Sequence, residues 1–530
     1  MFHLTRFKPL ASPWVLAALL ALASHPSGHA QSPFRPSGAL PSLGDNSELA
    51  AAAERRIGDR IAASIYRDPD YIDDPVLMDY VQTIWQPLMT AARARGELSA
   101  ELDERFAWEV FLIRDRSINA FALPGGYLGV HLGLMGAVTS RDELAAVLGH
   151  ELSHVTQRHI SRLITQQAKT TPWLIGAMIL GALAASKSPQ AASAAIVGGQ
   201  AVAAQSQLNF SRDMEREADR VGIGVMLDAG FESRGVASMF EKLQQASRLN
   251  DNGAFPYLRS HPLTTQRIAE VQARLQLASE APNANPISHE ATGKARVLHA
   301  IMAARARVLA DPGVDTLRAM VAEATRPAVA GLAATSALDI RNAGAFYAGT
   351  LAAAKLRDFT AARELAEKVK TMSANNAGAS SAAHLLSMEV DLLAGNVPPA
   401  AQQIDISKTT QRAALLVQAR ALLAAGRAQD VSSRLSTWVT DHPKDSGAWQ
   451  VLAVAYGNQG QTVRAIRADA ESHAARLDYS AALDRLRAAQ GMMRSNPESS
   501  DFMEGSIIDT RARQLDALVK EQALQDKLDR

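Results

Sequence analysis

The feature that most constrains this chain is the pentapeptide His150-Glu151-Leu152-Ser153-His154, which has the pattern H-E-x-x-H. On an α-helix, residues four apart lie on one face, so His150 and His154 can offer two imidazoles to one metal ion. Glu151 lies about 100° around the helix from His150. Its carboxylate is therefore expected beside the coordination position where water binds. The pattern predicts a metal-dependent hydrolase, and the alternative is a surface helix with two solvated histidines.

The sequence around this pattern is typical of a well-defined helix. Ser140 and Glu143 have the spacing of a capping box, in which the two side chains satisfy free backbone N–H groups at a helix start. Apolar residues then recur at helical spacing: Leu144, Val147, Leu148, Leu152 and Val155. We therefore predict an amphipathic helix that begins near residue 141 and carries both histidines.

Composition sets limits on the fold and the chemistry. The 530 residues are enough for two or three domains, and Ala-rich sequence with only 5% aromatic residues favours a mainly helical protein. The net charge of +1 gives no overall field for nucleic acid, so we expect no nucleic-acid partner. The absence of cysteine excludes disulfides, cysteine-ligated zinc, thiol catalysis and a lipid-modified N-terminal cysteine.

The N-terminus is typical of a secretory signal peptide. Arg6 and Lys8 precede the apolar run 15–23, and Gly28-His29-Ala30 provides small residues for cleavage after Ala30. The alternative is an uncleaved anchor, although the run is shorter than the ~20 residues that span a bilayer. We therefore assign residues 1–30 to a signal peptide and the Pro/Ser/Gly-rich residues 31–45 to a linker.

A small sheet is predicted ahead of the H-E-x-x-H helix. Asp74-Pro75 is typical of a helix start, and three runs rich in β-forming residues follow at Phe106–Ile113, Ile118–Leu123 and Tyr127–Leu132. The last two flank Pro124-Gly125-Gly126, which indicates a tight turn or a close backbone approach. A strand at the sheet edge beside the helix would suit a peptidase because an extended substrate can pair with it. An ordinary structural hairpin is the alternative.

A second helix is predicted to supply a carboxylate. It runs from Ser211 to Ala229, with Gly230 just beyond its end, and carries Glu215, Glu217 and Asp219. Glu215 and Asp219 share a face, whereas Glu217 points elsewhere. A metal site with two histidines needs a carboxylate from another helix, which Glu215 fits, and Asp219 could orient a ligand histidine. Taken alone, this acidic pattern is equally typical of a solvated face.

Two further segments allow more than one interpretation. The run Trp173–Ala185 is apolar but too short to cross a bilayer, and apolar small residues continue through 191–204. The stretch could be a buried helical hairpin, a lid over the site or a peripheral membrane contact formed by residues 173–204. His261, in Ser260-His261-Pro262, is either a surface or capping residue or part of the site.

The C-terminal half resembles an array of helix pairs. Trp449, Leu452, Ala453 and Tyr456 follow the pattern of a tetratricopeptide repeat, and the turns at Gly426 and Gly460 are 34 residues apart (460 − 426), which is the period of that repeat. We predict about four pairs within 295–490, which would leave a groove for a protein partner. An unrelated helical bundle is the alternative. Residues 491–505 are predicted as a loop, and a last helix from about Asp509 would cap the array.

Three segments carry a resemblance to a known family: L-A-A-V-L-G-H-E-L-S-H-V at 144–155, S-R-D-M-E-R-E-A-D-R-V-G at 211–222 and N-A-F-A-L-P-G-G-Y at 119–127. They resemble the HtpX-like and CAAX-prenyl-endopeptidase-like zinc metallopeptidases, over roughly residues 45–280. The resemblance implies one zinc ion per chain and a zincin-type domain at 46–290, followed by the helical repeats at 295–490 and the loop and capping helix at 491–530. The residue roles that it implies are metal ligands at His150, His154 and Glu215, the general base at Glu151, contact with a ligand or donation of a proton by Asp219, and a regulatory fourth ligand at His261.

The export signal and the repeats narrow the resemblance to periplasmic members of this family. It implies a periplasmic endopeptidase that acts on unfolded or misassembled proteins and works with the outer-membrane β-barrel assembly machinery. One alternative is a periplasmic chaperone or assembly scaffold with little proteolytic activity. A second alternative is an integral membrane peptidase, against which the short apolar run at 173–185 argues.

Overall fold

The computed structural model describes residues 50–166, 212–248, 256–279, 289–326, 336–495 and 501–528. The predicted signal peptide (1–30), linker (31–45) and apolar stretch (173–204) lie outside these residues. The first half contains, in order, α1 (Ala51–Arg67), β1 (Tyr71–Ile72), α2 (Pro75–Ala94), α3 (Ala100–Arg105), β2 (Glu109–Ile113), β3 (Ala120–Leu123), β4 (Tyr127–His131), α4 (Leu132–Ala137), α5 (Arg141–Thr156), α6 (His159–Gln166), α7 (Arg212–Asp228), α8 (Arg234–Arg248), α9 (Tyr257–Ser260) and α10 (Thr265–Ser279).

The sheet of the first half has four strands in the order β1-β2-β4-β3. Strands β2 and β4 are parallel, whereas β3 and β4 form the predicted hairpin, with Leu123 opposite Tyr127. Gly125 and Gly126 have φ values of 75° and 85° in the hairpin turn, a conformation that favours glycine. Strand β3 lies at the sheet edge and packs against α5, so the predicted edge strand beside this helix is confirmed.

The start of α5 confirms half of the predicted capping box. The Ser140 hydroxyl accepts the Glu143 N–H at 3.2 Å, as expected for an N-cap. The Glu143 carboxylate instead accepts the N–H of Thr139 at 2.7 Å, one residue before the cap. All five predicted apolar positions of the helix are buried, so α5 is a core helix rather than a surface helix.

Helices α5 and α7 approach each other closely at two glycines. A Cβ atom built on Gly222 would lie 2.9 Å from the Gly149 carbonyl oxygen, a distance that real side chains do not tolerate. Glycine at both positions therefore lets the two backbones meet. This crossing lies one residue before His150, and it brings the acidic residues of α7 against the histidines of α5.

The second half is an array of helices in which most consecutive members pack against each other, as in a solenoid. It contains α11 (His289–Leu309), α12 (Val314–Thr325), α13 (Ser336–Lys355), α14 (Phe359–Ser373), α15 (Ala377–Leu393), α16 (Arg412–Ala424), α17 (Ala428–Asp441), α18 (Ser446–Asn458), α19 (Thr462–Ala475), α20 (Tyr479–Ser495) and α21 (Phe502–Leu528). The fold class predicted from sequence, mainly helical with a small sheet and a helical array, is confirmed.

The predicted turns of the array lie where the sequence placed them. Gly426 and Gly460 have positive φ values of 76° and 72°, and the turns at Arg357 and Gly395 have the same conformation, with φ values of 67° and 78°. The array departs from regular pairs after α15, where two short 3₁₀ helices, Pro399–Gln403 and Ile406–Lys408, replace a second α-helix.

The predicted loop at 491–505 was placed too broadly. Helix α20 continues to Ser495, and α21 begins at Phe502 instead of near Asp509. The earlier start is stabilised locally because the Asp501 carboxylate accepts the Met503 N–H at 3.0 Å. Arg467 also pairs with Glu504 in the first turn of α21.

The two halves share one hydrophobic core. Helix α11 packs against α2 and α4, and buried residues of both halves belong to a single cluster. Residues Ser47–Arg530 form one compact unit. The boundary predicted between residues 290 and 295 stays a prediction. Among the described residues, no helix has the length and apolar character needed to cross a membrane.

Candidate metal centre

Four side chains of metal-binding type converge in the first half of the chain. Helix α5 provides His150 and His154, α7 provides Glu215, and the residue that follows α9 is His261. All four are buried, and one potential ligand atom from each lies within 4.8 Å of the others. The structure thus brings together the three predicted ligands and the residue predicted as a regulatory fourth ligand.

The distances within the cluster are short. The Nε2 atoms of His150 and His154 are 3.0 Å apart. One Glu215 oxygen lies 3.4 Å from His154 Nε2 and 3.0 Å from His261 Nδ1. His261 Nδ1 lies 3.3 Å from His150 Nε2. Each of these groups therefore presents a nitrogen or oxygen atom to the same small volume.

This donor set fits a divalent metal ion. Imidazole nitrogen and carboxylate oxygen are the ligands that catalytic zinc sites use, with three protein ligands in most of them. The lone pairs of two facing imidazole nitrogens repel each other unless a proton or cation lies between them. A buried cluster of two histidines and a glutamate is consequently better explained by metal binding than by packing.

Glu151 lies beside the cluster, as predicted for a general base. Its side chain is fully buried, and its Oε1 atom lies 3.5 Å from Nε2 of His261. Burial raises the pKa of the Glu151 carboxyl above its usual value. The ring of Tyr257 stacks on that of His261 at a centroid distance of 4.5 Å, which holds His261 against both Glu151 and the cluster.

The Asp219 carboxylate contacts His150 on the side of the ring that faces away from the cluster. Its Oδ1 atom lies 3.1 Å from Nδ1 of His150, so the Nδ1–H can donate to Asp219 while Nε2 faces the cluster. Burial would raise the pKa of Asp219, but hydrogen bonds with His150 and Arg267 hold it below its usual value. The predicted orienting role thus has the required geometry.

Arg267 is a member of the site that the sequence analysis missed. Its guanidinium donates to both oxygens of Asp219, at 2.7 and 2.9 Å, and lies 2.6 Å from Oε2 of Glu215. It also donates to the carbonyl of Pro262, next to His261. The sequence feature that could have indicated Arg267 is its position on α10, one turn before Val271 and on the same buried face.

The ionisable groups of the buried site shift one another's pKa values. Burial alone would raise the pKa of Glu215, but the neighbouring His261 and His150 rings hold it well below its usual value. Burial also lowers the pKa of His154 well below its usual value, and the nearby His150 acts in the same direction. These shifts favour an ionised Glu215 and a neutral His154, which are the forms that bind metal. Burial lowers the pKa of His150, but hydrogen bonds with Asp219 and Glu215 raise it to about 10, so metal binding at this ring would release a proton.

Glu217 points away from the cluster, as predicted, but it is not simply solvated. Its carboxylate contacts His159 at 3.1 Å and Arg162 at 2.7 Å, both on α6. His159 was not singled out from sequence.

A helix-borne H-E-x-x-H with a glutamate on a second buried helix and an edge strand alongside defines a metallopeptidase.

Comparison with known proteins finds a family model that matches part of the chain. Residues 79–275 match the model of peptidase family M48. The matched range includes all the predicted ligands, Glu151 and Asp219.

Three relatives show how far the similarity extends. The chain is 26% identical over 456 residues to the beta-barrel assembly-enhancing protease of Escherichia coli (strain K12), which is 84% of this chain and 86% of that protein. A Vibrio cholerae protein whose name puts it in the same group is 36% identical over 237 residues, so the match covers about half of each chain (44% and 47%). The mitochondrial metalloendopeptidase OMA1 of Arabidopsis thaliana is 31% identical over 178 residues, or 34% of this chain and 33% of that protein.

Proposed function

We propose that this protein is a zinc endopeptidase that degrades unfolded or misassembled outer-membrane β-barrel proteins in the periplasm. The observation that carries the proposal is the buried cluster of His150, His154 and Glu215 with Glu151 beside it. The names of the relatives that share most of the chain's length support the link to barrel assembly. The predicted signal peptide, cleaved after Ala30, supports the compartment.

The ligands would be His150 and His154 through Nε2, together with the Glu215 carboxylate. When bound, zinc would supply Lewis-acid polarisation of the scissile carbonyl and of the attacking water. Glu151 takes the proton from that water and passes it to the leaving amine.

Asp219 and Arg267 keep the site in order. Asp219 fixes the His150 tautomer by accepting from Nδ1, and Arg267 holds both Asp219 and Glu215 in place. No strand of the described residues lies beyond β3 at its edge of the sheet, so an extended substrate could bind there by adding a strand. These residues bind and orient, whereas Glu151 carries the proton.

His261 would hold the enzyme in a resting state. As a fourth ligand it fills the position that water must occupy. A pocket beside His150, lined by apolar side chains of α7 and α8 such as Met226 and Met239, also contacts His261 and Tyr257. Its volume of about 30 Å³ exceeds the roughly 10–15 Å³ that one water molecule needs. Because His261 and Tyr257 both line this pocket, a movement of the two would open the ligand position and enlarge the pocket together.

The helical array would recruit protein partners, including the barrel assembly machinery. Stacked helix pairs provide a broad surface of the kind that repeat proteins use for binding. We retain the tetratricopeptide interpretation of residues 295–490 as part of this proposal.

Substrate trapping in cells tests the function directly. A Glu151→Gln variant keeps the ligands but lacks the base, so substrates should accumulate on it and co-purify from the envelope. The matched control is the Glu151→Gln/His154→Ala double variant, which lacks a ligand as well. Enrichment of unfolded outer-membrane barrels on the single variant is the expected result. Equal capture by both variants would instead indicate a chaperone or scaffold, because capture would not need the metal site.

A further inference from the structure

His154, the second proposed ligand histidine, contacts another histidine on the side of its ring that faces away from the cluster. His159, the first residue of α6, is fully buried, and its Nδ1 atom lies 2.9 Å from Nδ1 of His154. On its other side, Nε2 of His159 lies 3.1 Å from Oε2 of Glu217. Arg162 Nη2 donates to the same Glu217 oxygen at 2.7 Å. A continuous chain of contacts therefore runs from the cluster through His154 and His159 to Glu217.

The chemistry of these groups fixes the direction of the hydrogen bonds. An ionised carboxylate only accepts, so the proton of His159 lies on Nε2, where it is donated to Glu217. Nδ1 of neutral His159 is then an acceptor and receives the proton on Nδ1 of His154. His154 consequently carries its free lone pair on Nε2, the atom that faces His150 and Glu215. The metal-binding tautomer of His154 is thereby selected.

We propose that His159 and Glu217 are positioning residues that orient His154 as a metal ligand and hold it in the metal-binding tautomer. The inference rests on the proposed zinc site. Ligand histidines in metal sites usually donate their other N–H to a carboxylate or carbonyl group. Here the carboxylate acts through a second histidine.

The same logic gives each acidic residue of the E-x-E-x-D segment a role at the site. Glu215 is a ligand, Asp219 receives the outer N–H of His150 directly, and Glu217 acts on His154 through His159. Helix α7 thus controls both ligand histidines from two of its faces. The side chain of Glu217 is 29% exposed, so it can be replaced without opening the core.

Zinc affinity of the purified mature protein tests the proposal. We expect His159→Ala and Glu217→Ala to weaken zinc binding by about 10–100-fold, measured by competition with a chelator of known affinity. His159→Asn should restore part of the loss, because its side-chain oxygen can accept from His154. The absorption spectrum of the cobalt-substituted protein should change in His159→Ala, since the ligand field senses the orientation of His154.

Controls separate this role from a general loss of structure. Arg216→Ala removes a charge from the same helix, next to Glu217, and should leave zinc affinity and the cobalt spectrum unchanged. Glu217→Ala carries the test if His159→Ala fails to fold. Unchanged zinc affinity in folded His159→Ala or in Glu217→Ala would overturn the proposal. Failure of the wild-type protein to bind zinc would instead overturn the proposed function, so the two failures are distinguishable.

Discussion

Arg305 joins the two halves of the chain, and its removal should destabilise both. The residue is buried in α11 of the array, and its guanidinium donates to Asp74 at 2.6 and 2.8 Å and to Glu389 at 2.7 Å. Asp74 is also the N-cap of α2, since it accepts the Leu77 N–H at 2.8 Å. Arg305 therefore connects the first turn of α2, in the first half of the chain, to helix α15 of the array.

The size of the effect follows from burial. Arg305→Met leaves two carboxylates next to each other without a cation, and removing one partner of a buried ion pair costs about 3–5 kcal/mol. Domains have a total stability of only about 5–15 kcal/mol, so the loss is a large fraction. The matched control is Lys355→Ala, which breaks the exposed pair with Asp311 and should cost at most ~1 kcal/mol.

Urea unfolding of the zinc-loaded protein measures the effect. Helicity followed by circular dichroism and zinc release followed by a dye should show one coincident transition, because the halves share a core. Both signals should shift to lower urea in Arg305→Met. Zinc release at a urea concentration well separated from the loss of helicity, or a destabilisation no greater than that of Lys355→Ala, would refute the coupling.

Two further predictions concern regulation and pH. His261→Ala should raise basal cleavage of casein at normal zinc content, because the residue that fills the water position is gone; equal or lower activity would refute the resting state. Burial lowers the pKa of His299, whose ring contacts the Tyr80 hydroxyl at 2.6 Å and the Val138 carbonyl at 2.9 Å. Because the pKa of His299 is lower in the folded protein than in the unfolded chain, protonation favours the unfolded chain. The contribution of His299 to the free energy of unfolding is therefore fully present above about pH 6.5 and is lost below it, by up to about 1.4 kcal/mol per pH unit. Urea unfolding at pH 7.5 and 5.5 should show a smaller pH effect in His299→Gln, and an identical effect would count against this role.

The proposed ligands and the base could be predicted from the sequence because they depend on residue spacing within single helices. H-E-x-x-H spacing places His150 and His154 on one helix face, and a capping residue and apolar period define that helix. Glu215 and Asp219 followed from the same spacing rule on a second helix. The structure confirmed the edge strand for a similar reason, since two β-forming runs around a Gly-Gly turn form a hairpin.

The supporting residues were not predictable because they depend on chain reversals between elements. Arg158 has a φ of 54°, which ends α5 and lets His159 fold back onto His154. In a continuous helix, residues five apart would point about 140° away from each other. Arg267 reaches Glu215 and Asp219 only through the packing of α10 on α7, which spacing along the chain does not encode.

The shared core was also missed. Periodicity shows that α11 has apolar positions but does not show what covers them, so nothing in the sequence indicated that they pack across the boundary predicted between residues 290 and 295. In the structure, His299 and Arg305 of α11 bond to Val138 and Asp74 in the first half. The predicted ligands and the base all lie before residue 262, whereas we expect the stability of the site to depend also on Arg267 and on the array.

The most direct test of the central claim is a paired measurement on Glu151→Gln and wild-type protein. Zinc content and cleavage of unfolded casein are determined on the same samples. The wild-type protein should bind about one zinc per chain and cleave casein. Glu151→Gln should bind the same amount of zinc and lose cleavage, because Glu151 lies beside the ligands and is not one of them. Cleavage retained by zinc-loaded Glu151→Gln would contradict the assignment of the base and the mechanism built on it.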